Sequence, residues 1–143
     1  MEQLDSKFRI KLENLPKVKA VIKALHGKES IDFDDGPSHF SWVDEDFYKL
    51  NTAIQLMQAF RWEPTIDDNG DVADINFTGE KLGDDKIFFE AIAPFVESDS
   101  YIEMKGEDDE KWRWVFKKGK LYEISPETIW PTVEAKQSRA VTK

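Results

Sequence analysis

Apolar residues recur along this chain with two periods. Phe8, Ile10 and Leu12 alternate with Lys7, Arg9 and Lys11, the two-residue period of a half-buried strand with a basic outer face. Val18, Val21, Ile22 and Leu25 then fall at helical spacing. Pro16 suits the first turn of that helix and Gly27 its C-cap. Ile31 and Phe33 predict a short strand, ended by Asp34-Asp35-Gly36-Pro37. A second helix is predicted from Asp44 to about Phe60, with Phe47, Leu50, Ala53, Ile54 and Met57 as its buried stripe. Asp44, Glu45 and Asp46 would crowd its N-terminus, where the helix dipole favours negative charge.

The second half reads as hairpins around a third helix. Trp62–Ile66 and Val72–Phe77 flank Asp67-Asp68-Asn69-Gly70, a hairpin signal, and Pro64 predicts an edge position for the first of them. Asp84 is the expected N-cap of a helix whose apolar face is Ile87, Phe88, Ala91, Ile92 and Phe95, and which Pro94 is expected to distort or end. Strands are predicted at Ser100–Lys105, Lys111–Lys117 and Lys120–Ile124. Trp112, Trp114 and Phe116 share one face of the middle strand and are expected to pack on Phe88, Ile92 and Phe95. Past Pro126 the pattern fades, so residues 127–143 are expected to form a partly disordered tail, with Trp130 as a candidate to pin it. The expected fold is one α+β domain over residues 1–126, in the order β-α-β-α-β-β-α-β-β-β. Its three helices pack on a mainly antiparallel sheet. A helix-then-hairpin plan occurs twice, over 44–77 and 84–117, without enough identity to be a repeat.

Charge changes the picture. The chain carries 29 acids and 20 bases, a net −9. Residues 29–110 hold 23 of those acids and only 5 bases, a net −18, while 1–28 is +4 and 111–143 is +5. The stretches 29–46 and 63–80 contain no Lys or Arg. Such a surface repels nucleic acid and anionic membrane and attracts basic partners. The absence of cysteine excludes disulfides, thiolate metal sites and cysteine nucleophiles. With a charged, alternating start instead of an apolar leader, it points to a cytoplasmic protein. No apolar run approaches the roughly 18 residues of a membrane span. Two histidines, His26 and His39, cannot build a multi-histidine metal centre.

The candidate chemistry is thin. If Gly70 is set at position 6 of an EF-hand loop, Asp67 and Asn69 fall at positions 3 and 5, but Thr65 and Asn76 stand where the first ligand and the bidentate acid belong. A hairpin turn is the simpler reading. Glu107-Asp108-Asp109-Glu110 is a second acidic turn, either a solvated tip or a contact for basic residues. Ser38 and His39 near Asp44 lack a nucleophile elbow or an oxyanion loop. Trp112-Arg113-Trp114 has the composition of a nucleic-acid stacking platform. Strand alternation instead turns both tryptophans inward. It turns Arg113, Val115 and Lys117 outward, into a small basic patch with Lys111, Lys118 and Lys120. No catalytic residue, metal site or cofactor is assigned.

The segments Glu90–Val96, Tyr101–Asp108 and Trp112–Phe116 together resemble the C-terminal part of small acidic proteins from bacterial and phage genomes. The resemblance implies a mobile-element origin and carries no activity with it. The expected function is therefore that of a non-enzymatic inhibitor. Its carboxylates would occupy a basic, nucleic-acid-binding surface on a protein partner, as a phage anti-CRISPR or antirestriction protein does. Direct nucleic-acid or membrane binding is not expected. The partner-binding candidates are Asp34, Asp35, Asp44, Glu45, Asp46, Asp67, Asp68, Asp71 and Asp74, with Glu107, Asp108, Asp109 and Glu110. The alternatives are a toxin-neutralising immunity protein, an accessory module that binds through a sheet edge or aromatics, and a carboxylate-based hydrolase.

Overall fold

Five strands form where the local pattern places them. In the computed structural model, which describes residues 1–26, 40 and 42–126, strand β1 spans Glu2–Lys7, β2 Trp62–Ile66, β3 Val72–Phe77, β4 Ser100–Lys105, β5 Lys111–Lys117 and β6 Lys120–Ile124. The last five have the bounds predicted from alternation and turn residues. Helices α1 (Leu15–Lys23), α2 (Ala53–Ala59) and α3 (Asp85–Ile92) complete the α+β fold. The predicted strand around Ile31 and Phe33, and the tail from residue 127, lie outside the described residues.

β1, β4, β5 and β6 form an antiparallel sheet in that order, and β2 pairs with β3 in a separate hairpin. The hairpin lies against the free edge of β1, but among the described residues main chain pairs with main chain there only at Ile10–Val72. Further along, the Gln3 side chain bridges the seam: its Nε2 donates to the Ile75 carbonyl and its Oε1 accepts from the Phe77 amide, at 2.9 and 2.7 Å. A glutamine thus stands in for a missing rung of the ladder, satisfying backbone groups that would otherwise lose their partners.

This seam also sets where β1 lies. The strand expected on Phe8, Ile10 and Leu12 begins earlier, on Glu2–Lys7, a polar segment without apolar alternation. Its side chains pack little; Gln3 and Ser6 bond across the seam, and Asp5 and Lys7 face solvent. Phe8 and Ile10 are buried beyond the strand end, and Leu12 begins a 3-10 turn and is 51% exposed.

The helix expected from Asp44 to Phe60 is two pieces. A 3-10 turn at Phe47–Lys49 ends in an extended Leu50, and α2 starts afresh behind Thr52. The Thr52 hydroxyl accepts the Gln55 amide at 3.1 Å, and the Gln55 side chain accepts the Asn51 amide at 3.2 Å. This is a close relative of the capping box, a strong helix start. Asp44, Glu45 and Asp46 therefore precede a single 3-10 turn and not an α-helix. Asp84 does precede α3, but its side chain makes no capping bond.

Helices α1, α2 and α3 cover one face of the sheets, with α1 touching both of the others. Trp114 and Phe116 are buried, as expected, whereas Trp112 is half-buried against the same cluster. Their helical partner is Phe89, with ring centroids 5.1 Å from Trp114 and 5.7 Å from Phe116. Phe88 instead stacks on Phe60 at 5.0 Å. The single-stripe reading of α3 missed Phe89 because this helix is buried on two sides, between the strands and the end of α2.

Candidate functional site

The thirteen acids singled out by sequence meet different fates. Asp67 and Asp71 sit in the β2–β3 turn, closed by Gly70 at φ +85°. Asp67 Oδ1 accepts the amides of Asn69 and Asp71, and Asp71 Oδ1 accepts the Leu12 amide. The other oxygen of each carboxylate meets Arg9 Nη1, at 3.1 and 3.0 Å. Burial pushes the Asp67 carboxyl up, but the Arg9 hydrogen bond and the turn amides outweigh it and hold the group below its ordinary value. The guanidinium of Arg9 is raised in turn, chiefly by its bond to Asp67. One cation from the basic N-terminal flank thus occupies the place a bound metal would need. Among the described residues no group of three or more His, Cys, Asp or Glu side chains is placed to hold a metal ion.

Asp74 lies at the seam, where its Oδ1 accepts the Ser6 hydroxyl at 2.8 Å and the Ile75 amide at 2.9 Å. A polar groove of about 550 Å³ runs along this seam, lined by Glu2, Asp5, Asp74, Gln3, Ser6 and Asn76 among others. Asp68, by contrast, points into solvent from the turn.

The other acids are open. Asp44, Glu45 and Asp46 are exposed; Asp44 accepts the Asp46 amide, and Asp46 lies 3.7 Å from Lys49. The β4–β5 turn displays Glu107, Asp108, Asp109 and Glu110, all exposed. It is closed by the Gly106 amide on the Glu110 carbonyl at 2.8 Å, with Asp109 at φ 65° and its carboxylate 3.2 Å from Lys105. Asp34 and Asp35 lie outside the described residues, as do Ser38 and His39 of the imagined triad.

The two acidic turns are not brought together. Arg9, which holds the Asp67 turn, follows β1 at the Ser100 end of β4, and its amide meets the Ser100 hydroxyl. The Glu107 turn leaves β4 at its other end, after Lys105. Six extended residues separate them, about 20 Å.

One acid escaped notice in the sequence. Asp85 is 2% exposed and accepts four hydrogen bonds: from Trp62 Nε1 at 2.9 Å, from the Gly83 amide at 3.0 Å, and from Arg61 Nη2 at 3.0 and 3.3 Å. Arg61 lies over the Phe77 ring and also donates to the Lys81 carbonyl. The constellation ties α3 to the start of β2. All four of these bonds go to groups of the fold itself, so Asp85 anchors the start of α3. Its signal was visible but shared with its neighbour, since either aspartate of Gly83-Asp84-Asp85 can start a helix.

The chain matches no protein-family model, no curated protein and no solved structure at a significant level. No helix among the described residues is long and apolar enough to cross a membrane.

Proposed function

We propose that this chain is a non-enzymatic binding protein whose exposed carboxylates occupy a basic surface on a protein partner, one that normally holds nucleic acid. The observation that carries the reading is the state of the loop acids. Asp44, Glu45, Asp68, Glu107, Asp108 and Glu110 have no cation within ion-pair distance among the described residues. Exposed acids left unneutralised on a chain of net −9 create a field that speeds encounter with a basic partner. The acid-lined groove at the seam adds a second place for a cationic side chain. A phage-borne or mobile-element inhibitor of a nuclease would use such a surface, and so would a toxin-neutralising immunity protein.

The test is capture of partners at about 50 mM and about 500 mM salt, followed by nucleic-acid displacement from whatever is captured. The expected partner is basic, is released at high salt, and loses nucleic acid when this protein is added. Reversal of Asp44, Glu45 and Asp46 to Lys should slow its association most at low salt. A partner that binds wild type and variant equally at both salts overturns the reading. That result favours an accessory module that docks through the outer strand β6, where Tyr122 is 49% exposed.

A further inference from the structure

The strand registers sort charge in a way the linear sequence does not show. On the side of the four-stranded sheet away from the helices, Lys7, Tyr101, Val115 and Tyr122 form one row across β1, β4, β5 and β6. The next row is Asp5, Glu103, Arg113 and Ile124. Glu2, Lys105 and Lys111 follow at one end, and Lys117 and Lys120 pair at the other. This face carries six bases and three acids, a net +3 on a chain of net −9.

Two of its acids are engaged: Asp5 accepts the Tyr101 hydroxyl at 2.8 Å, and Glu103 holds Arg113 at 2.9 Å. Arg113 lies over the Tyr101 ring, 4.6 Å from its centroid. Lys117 lies 3.5 Å from Asp99, but Lys7, Lys118 and Lys120 have no carboxylate within ion-pair distance among the described residues. The result is an arginine lying over one tyrosine ring and a second, exposed tyrosine, rimmed by lysines.

We propose that this face binds single-stranded nucleic acid, with the Arg113–Tyr101 pair and Tyr122 as platforms for bases and Lys7, Lys117, Lys118 and Lys120 as partners of phosphates. Sheets that display aromatics and Arg planes among bases take up splayed nucleobases in this way. An acidic polypeptide would satisfy the lysines but leave the rings without a stacking partner. The net charge does not forbid it. The acidic Glu107 turn lies at the far end of β5, about 20 Å from Lys117, beyond the Debye length of about 8 Å at physiological salt. This proposal is independent of the reading in the preceding section.

The test is fluorescence anisotropy of a labelled oligothymidylate of about 12 nucleotides titrated with the full-length protein. Saturable binding is expected at about 50 mM salt, weakening with salt at a log–log slope of about −3, as four phosphate contacts on a single strand require. Tyr122→Ala should weaken binding about tenfold and Tyr122→Phe should restore it. Lys117, Lys118 and Lys120 changed together to Gln should flatten the salt slope. Tyr122 is exposed, so its variants keep the fold, and Lys120→Glu supplies a second probe that should also weaken binding. Absence of saturable binding, a Tyr122→Ala variant that binds like wild type, or displacement of the oligonucleotide by polyglutamate as readily as by unlabelled oligonucleotide would each overturn the proposal.

Discussion

The two acidic hairpin turns look alike in sequence and differ in the fold. Asp67-Asp68-Asn69-Gly70-Asp71 is largely turned inward: Arg9 and the amides of Asn69, Asp71 and Leu12 consume the Asp67 and Asp71 carboxylates. Glu107-Asp108-Asp109-Glu110 remains in solvent, and among the described residues only Asp109 of the four lies near a cation, Lys105. The difference arises outside the turns. The first sits beside β1 and its basic continuation, while the second projects past the end of its sheet. A count of acids is therefore a poor measure of surface charge, because long-range contacts decide which carboxylates are spent on the fold.

Four experiments sharpen this contrast. The largest effect is expected at the most completely spent acid. Asp85→Ala leaves Arg61 and the Trp62 indole without their acceptor and should cost about 3–5 kcal/mol, the cost of breaking a buried pair, in denaturant unfolding. A variant as stable as wild type would show that α3 is not anchored there.

A smaller effect is expected at the first turn, and it depends on pH. The folded-state carboxyl of Asp67 lies below its ordinary value, so its contribution is fully present above that ordinary value. The contribution fades as pH falls through the ordinary and then the lowered value. Asp67→Asn should thus melt below wild type at neutral pH and converge with it in strong acid. Arg9→Ala should reproduce that convergence, and parallel curves down to pH 2 would contradict the pairing.

The second turn should respond least to loss of charge. Glu107, Asp108, Asp109 and Glu110 changed together to their amides should shift stability by no more than about 0.5 kcal/mol per site. The same variant should associate more slowly with a basic partner at low salt. A large loss of stability would mean that this turn too is spent on the fold.

The smallest shift is expected from calcium. Millimolar calcium should leave the melting temperature almost unchanged, because Arg9 already occupies the Asp67 and Asp71 oxygens. A saturable rise abolished by Asp67→Asn would show that the metal displaces the guanidinium.

What the sequence alone determined lies mostly between Trp62 and Ile124. There the alternation and the turn residues are local signals, and they set the three hairpin connections and all five strand bounds, with α3 between them. Thr52 and Gln55 carried an equally local helix start, masked by an apolar pattern that runs straight through Leu50. Tertiary structure decided the rest. It made a strand of the polar segment Glu2–Lys7, because β4 lies along one edge and Gln3 bonds to β3 across the other. It chose Phe89 over Phe88 to meet Trp114, because α3 is buried on two sides. It gathered bases from both flanks onto one sheet face and set Arg9 between two aspartates about sixty residues away. Each of these depends on which strand edges and side chains meet across long stretches of chain, and no local spacing encodes such a meeting.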